Sequence, residues 1–173
     1  LISDAGSPLI SDPGYKLVLD YIEKNIMITC IPGPTSVIAA LQISGLPLNN
    51  FTFLGFISKN RSGNNATFEY IRNSFTTSIL FVSGNKLINF LDELIKNKIK
   101  RRIAICKELT KINEKVFRGE VNEVIKILNS SRKNLKGEFV VVIEGKKKIV
   151  QNELSPEIKG YITKLLTKFS LTE

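Results

Sequence analysis

The sequence predicts an open α/β sheet with right-handed crossovers, and three observations carry the prediction. The first third runs strand, loop, helix, strand, loop, helix. The middle alternates short apolar runs with amphipathic helical patterns. Of the 173 residues, 43% are hydrophobic, enough for a buried core.

Leu1-Ile2 reads as the end of a strand, followed by a run rich in Ser, Asp, Gly and Pro from Ser3 to Gly14. An apolar pair placed directly before a loop looks like a strand cut in the middle, so an N-terminally truncated fragment is expected. A helix to about Asn25 comes next, capped by Ser11 or Asp12, with Pro13 in its first turn and Leu17, Val18, Tyr21 and Ile22 on one face. Ile26 to Ile31 reads as a buried strand. Pro32-Gly33-Pro34 breaks it, and Thr35 or Ser36 caps a second helix through Val37, Ile38, Ala40 and Leu41 that stops near Gly45.

The polar stretch Asn60 to Asn65 places a linker over residues 57–66. Beyond it the pattern gives a helix from Thr67 to Asn73, a strand from Ser78 to Val82 and a helix through Leu87, Leu91 and Leu94. A strand from Arg102 to Cys106, another near Lys115 to Phe117, a short helix through Val121 and Leu128, and the β-branched Phe139 to Ile143 follow. Ser155-Pro156-Glu157 opens an amphipathic helix expected to continue past Glu173. The expected division is residues 1–56 as the latter part of one α/β domain, 57–66 as linker, 67–150 as a second α/β domain, and 151–173 as a C-terminal helix.

Charge and composition narrow the chemistry. Twenty-five Lys and Arg against 16 Asp and Glu give +9, which favours polyanionic partners, although a basic soluble surface accounts for it equally. Without histidine, the Ser-His-Asp, Cys-His and zinc-histidine chemistries are excluded, and no metal site is expected. Cys30 and Cys106, in strand-like segments, read as buried free thiols, which suits a reducing cytoplasm. No apolar run reaches membrane-span length, so no membrane partner is expected.

Two loops are candidates for ligand binding. Ser3, Asp4, Ala5, Gly6, Ser7 and Pro8 combine small residues with an acceptor at a strand end. Pro32, Gly33, Pro34, Thr35 and Ser36 put hydroxyls and amides at a helix start. Each also reads as an ordinary turn with a cap, and neither matches a phosphate-binding fingerprint. Lys107-Glu108-Leu109-Thr110-Lys111 concentrates charge after a predicted strand, or is a solvated connection laced with ion pairs. The basic stretches Lys98 to Arg102, Arg132 to Lys136 and Lys146 to Lys148 suit phosphate contact but have few aromatic neighbours for base stacking.

Residues 3–18 (Ser-Asp-Ala-Gly-Ser-Pro-Leu-Ile-Ser-Asp-Pro-Gly-Tyr-Lys-Leu-Val), 31–41 (Ile-Pro-Gly-Pro-Thr-Ser-Val-Ile-Ala-Ala-Leu), 44–47 (Ser-Gly-Leu-Pro) and 53–56 (Phe-Leu-Gly-Phe) resemble the ribosomal RNA small subunit methyltransferase I family. That family lies within the tetrapyrrole-methylase-like superfamily. The match continues with Lys-Glu-Leu-Thr-Lys at 107–111, Glu114, Phe-Arg-Gly at 117–119 and Gly-Glu at 137–138. The resemblance implies a fold of two α/β domains with S-adenosyl-L-methionine in the cleft between them, the first strands missing here. It implies 2′-O-methylation of a cytidine ribose in 16S ribosomal RNA near the decoding centre, by a cytoplasmic homodimer acting on the small subunit.

On this reading the two loops and Ser83 line the cofactor bed, while Glu108 and Lys111 orient or deprotonate the ribose hydroxyl. Lys111 serves as base only if burial or a cationic neighbour lowers its pKa. The family's Tyr-Glu-Ser-Pro-His-Arg-Leu stretch stands here as Phe81-Val82-Ser83-Gly84-Asn85-Lys86-Leu87, and its Arg at the charged loop is Lys107. Two other readings are a small-molecule methylase of the same superfamily, acting for example on a tetrapyrrole, and a non-catalytic basic RNA-binding module.

Overall fold

The computed structural model describes residues 1–58, 61–130, 135–147 and 156–168. Along the chain these form α1 (Tyr15–Glu23), α2 (Ser36–Ser44), β1 (Phe51–Phe56), α3 (Arg61–Asn73), β2 (Thr77–Ser83), α4 (Gly84–Lys96), β3 (Arg102–Lys107), β4 (Lys115–Glu120), α5 (Val121–Asn129), β5 (Glu138–Ile143) and α6 (Pro156–Lys168). The strands make one sheet ordered β1-β2-β5-β3-β4. β1 and β2 are parallel, whereas β5 lies antiparallel between β2 and β3, so β2 and β3 point the same way.

The sheet is covered on both faces because its strands alternate two apolar sets. Phe139, Val141 and Ile143 of β5 face Leu87, Leu91 and Leu94 of α4, with Phe68 and Ile71 of α3 and Val124 and Leu128 of α5. Val140 and Val142 face the other way, packing with Ile79, Ala104 and Cys106 against Val37, Ala40 and Leu41 of α2. α2 ends as expected, with Gly45 in the left-handed conformation (φ 70°). Its last turn is fastened to the sheet by Arg118, whose Nε donates to the Ile43 carbonyl at 3.0 Å. That gives the Arg118-Gly119 pair a structural role.

Several expectations are corrected. Leu1-Ile2 forms no strand, and Ile26 to Ile31 forms none either. Met27 and Ile31 are 91% and 89% exposed, because a strand becomes regular and buried only beside a neighbour, and no described strand pairs with this segment. Cys30 within it is therefore exposed, while Cys106, inside the sheet, is buried as expected. α1 starts at Tyr15 with Gly14 as its N-cap and no capping side chain, so neither Ser11 nor Asp12 caps it.

The expected linker is helical from Arg61 onward. Burial of Phe68 and Ile71 holds this helix against the sheet and outweighs the poor helix propensity of Gly63, Asn64 and Asn65. β1, which periodicity did not reveal, joins residues before position 57 to the sheet formed after it. β4 continues past Phe117 to Glu120, where a capping box with Glu123 starts α5. The Ser155 cap and residues 169–173 lie outside the described residues, as do Arg132, Lys133, Asn134 and Lys148 of the basic stretches.

Candidate active site

The carboxyl ends of β1, β2 and β3 lie at one edge of the sheet, where open α/β sheets place ligand-binding residues. β5 begins at that edge between β2 and β3, so its first residue, Glu138, stands opposite Ser83. Register alone thus gathers Ser83, Glu138 and the loop after Lys107.

Within that loop Glu108 and Lys111 come together around a third residue, Glu138. The Glu108 amide donates to the Glu138 carbonyl at 2.9 Å. The Glu138 amide donates in turn to Glu108 Oε1 at 2.8 Å. Lys111 Nζ lies 2.9 Å from Glu138 Oε2 and 3.4 Å from Glu108 Oε1. The neighbouring turn is closed by the Thr110 amide, which donates to Glu114 Oε2 at 2.6 Å. Glu108 and Thr110 both adopt positive φ (46° and 66°), a backbone cost the surrounding bonds sustain.

These contacts set the charges. The Glu138 backbone amide, followed by Lys111, holds the Glu108 carboxyl below its ordinary range. The Glu138 carboxylate and then Glu108 push the Lys111 ammonium above its own. The condition for Lys111 as a base is therefore not met, since its neighbours are anionic and raise its pKa. Gly137, at φ 113°, is required here, because a Cβ would come within 2.7 Å of Glu108 Oε1.

Ser83 precedes α4 and donates its hydroxyl to Asn85 Oδ1 at 2.6 Å. The family departures here follow from packing. Gly84 opens α4 where the Leu135 carbonyl would meet any Cβ, with the Gly137 carbonyl 3.2 Å away, so only glycine fits. Asn85 supplies the Ser83 acceptor. Lys107, the other departure, is buried as the last residue of β3.

The two small-residue loops meet each other. Ser7 Oγ donates to the Pro34 carbonyl at 3.3 Å, joining Ser3–Pro8 to Pro32–Ser36. Ser3 Oγ is turned inward to the Ala5 carbonyl at 3.1 Å, and Gly6 takes φ 75° with nothing within 4 Å of where its Cβ would be. Thr35 is the N-cap of α2, in extended conformation and without a side-chain cap, leaving the first amides of the helix for another acceptor. The segment after Pro8 reaches the sheet at β1, where Ser11 Oγ lies 3.8 Å from a Cβ built on Gly55. Among the described residues no hydrogen bond or ion pair links either loop to Glu108 or Lys111. Ser83, at the end of β2, pairs in register with Glu138 of the charged group.

Among the described residues there is no cluster of three His, Cys, Asp or Glu able to hold a metal, and no helix is long and apolar enough to cross a membrane.

The fold matches solved structures, among them a methyltransferase. Uroporphyrin-III-C-methyltransferase from Thermus thermophilus superposes with a TM-score of 0.56 at 18% identity, over 80% of this chain and 60% of that one. Another structure of that enzyme, complexed with S-adenyl homocysteine, gives 0.52 at 16% identity, over 79% and 62%. Diphthine synthase gives 0.56 at 15% identity, over 88% and 62%.

In sequence the chain is 36% identical to ribosomal RNA small subunit methyltransferase I of Halalkalibacterium halodurans, over 88% of this chain and 52% of that protein. It is 38% identical to the protein of that name from Rickettsia prowazekii, over 100% of this chain and 62% of the relative. The chain thus spans little more than half the length of these relatives. Residues 1–125 match the model of the tetrapyrrole (corrin/porphyrin) methylases, and with the sheet and loops described above this chain belongs to that family.

Proposed function

We propose that the chain is part of an S-adenosyl-L-methionine-dependent methyltransferase that modifies 16S ribosomal RNA, at the 2′-oxygen of a cytidine ribose near the decoding centre. The observation that carries this reading is the 36% and 38% identity, over nearly the whole chain, to relatives named for small-subunit ribosomal RNA methylation. A cytoplasmic homodimer belongs to the same proposal, as does a division into two α/β units. The pairing of β1 with β2 supports placing Phe51–Phe56 with the second of those units.

The joined loops fit such a cofactor chemically. Thr35, Ser36 and the uncapped amides at the start of α2 are donors for an acceptor-rich group, and the open space at Gly6 admits close approach. On this reading Ser3–Pro8 and Pro32–Ser36 bind the cofactor, and Ser83 lines its far side. When bound, S-adenosyl-L-methionine supplies a methyl group activated by its sulfonium.

What remains for the protein is alignment and one proton. Glu108, kept ionised, accepts the hydrogen bond of the ribose hydroxyl and draws its proton at a carboxylate oxygen. Lys111 stays protonated, and Glu138 holds it in place beside that carboxylate. Lys111 therefore orients, and does not act as the base.

Transfer of labelled methyl from the cofactor to isolated small subunits, with nuclease mapping of the modified nucleotide, tests the reading. Glu108→Gln should lower the single-turnover rate by about a hundred-fold or more. Methylation of a tetrapyrrole instead of the subunit, or full activity of Glu108→Gln, would overturn it.

A further inference from the structure

At the opposite edge of the sheet, the amino end of β3 and the carboxyl end of β5 carry a second concentration of charge. Five of the seven residues from Lys96 to Arg102 are cationic and none is acidic. The fold adds Lys146 and Lys147 from beyond β5. Arg101 is the clamp that joins these segments, donating to the carbonyls of Ser74 (3.3 Å), Glu144 (3.2 Å) and Arg72 (2.6 Å). The Lys146 amide donates to the same Ser74 carbonyl at 2.7 Å. Gly145 admits this crossing, because a Cβ there would strike the Phe75 carbonyl.

The acids nearby are already engaged, Glu144 with Arg102 at 2.7 Å and Glu93 with Lys96 at 2.6 Å. Lys98, Lys100, Lys146 and Lys147 are exposed; among the described residues no carboxylate lies within ion-pair distance of them, and Lys147 acts on Glu144 only at longer range. Beside them Phe75 is 55% exposed, with Lys146 Nζ 5.6 Å from its ring centroid. An open aromatic ring among cations supplies the stacking platform that the linear sequence lacked.

We propose that this edge is a binding surface for single-stranded RNA, with phosphates on Lys98, Lys100, Lys146 and Lys147 and one base on Phe75. Arg101 and Arg102 hold the surface in shape. The six residues of β3 separate it from the Glu108 loop by about 17 Å, so one RNA strand several nucleotides long spans both. The inference rests on the ribosomal RNA reading and extends it with a second contact area remote from the chemistry.

The test measures binding of a fluorescent single-stranded RNA of about 16 nucleotides to the full chain as salt is raised. Replacing Lys98, Lys100, Lys146 and Lys147 together by Gln should reduce the slope of log K against log salt by about 3, at about 0.7 per phosphate contact. A control of equal charge loss, Lys16, Lys24, Lys159 and Lys164 to Gln, should leave it near the parent value. Phe75→Ala should weaken binding about ten-fold at constant salt.

Equal slopes for both quadruple variants would overturn the surface while leaving the methylation reading intact. Anionic-phospholipid vesicles binding more tightly than RNA, with no effect of Phe75→Ala, would overturn it in favour of a membrane. Surface binding without any methyl transfer to small subunits would support the surface and sink the methylation reading.

Discussion

α1 and α2 are both nine-residue helices, yet α1 buries no residue and α2 buries Val37, Ala40, Leu41 and Ser44. Amphipathicity does not explain the difference, since α1 has the clearer apolar stripe. α2 lies on a sheet face, whereas α1 is at most partly covered and the 26–31 segment is exposed. The contrast shows that an apolar stripe records what an element can bury, while burial itself depends on a partner surface.

The comparison breaks most readily in the core. Leu94→Ala, at a fully buried position on α4, should cost about 2–5 kcal/mol, whereas Leu19→Ala on α1, 39% exposed, should cost far less. Denaturant midpoints of the two variants read the difference, and equal losses would mean that α1 has a packing partner.

Next in size is an alkaline effect confined to the sheet. Burial pushes the Cys106 thiol up to about 11 from an ordinary value near 9.0. The folded chain keeps a proton that the unfolded chain loses, so this contribution is full below about pH 9 and is lost as pH rises to about 11. The change is about 2–3 kcal/mol, and Cys106→Ala should remove that slope from the stability profile.

Gly84→Ala should cost about 1–3 kcal/mol by forcing a Cβ against the Leu135 carbonyl, read again as a shifted midpoint. The smallest effect is expected at the loop junction. Ser7→Ala removes one hydrogen bond to Pro34, worth about 0.5–1 kcal/mol, and should raise amide exchange in residues 3–8 while leaving the sheet unchanged.

Much of the fold was legible because its strongest elements bury regular stripes. Phe139 to Ile143 is so uniformly β-branched and apolar that it reads as a central strand without any neighbour being known. The Pro-Gly-Pro break and Gly45 bracket α2 by backbone constraint alone. β1 was missed because Gly55 interrupts it and because its burial is only partial, set by parallel pairing with β2. Residues 61–66 are helical where a loop was expected, because local polarity at Asn64 and Asn65 is outweighed by two buried residues farther along the same helix.

The candidate site divides in the same way. Glu108 and Lys111 stood out as charges after a strand, but Glu138, 27 residues beyond Lys111, entered only through the Gly-Glu match, with nothing local to join it to them. Only the insertion of β5 between β2 and β3 makes it their neighbour.

By itself the sequence determined the alternation of elements from β2 to β5, the absence of imidazole chemistry, the two small-residue loops and the resemblance that names the family, because each is written in local residue types and spacing. Tertiary structure alone decided which apolar stripes are buried, that Lys111 is held protonated, and that Phe75 meets Lys146. Burial, pKa and contact all depend on what approaches from distant parts of the chain, and local spacing carries no record of that.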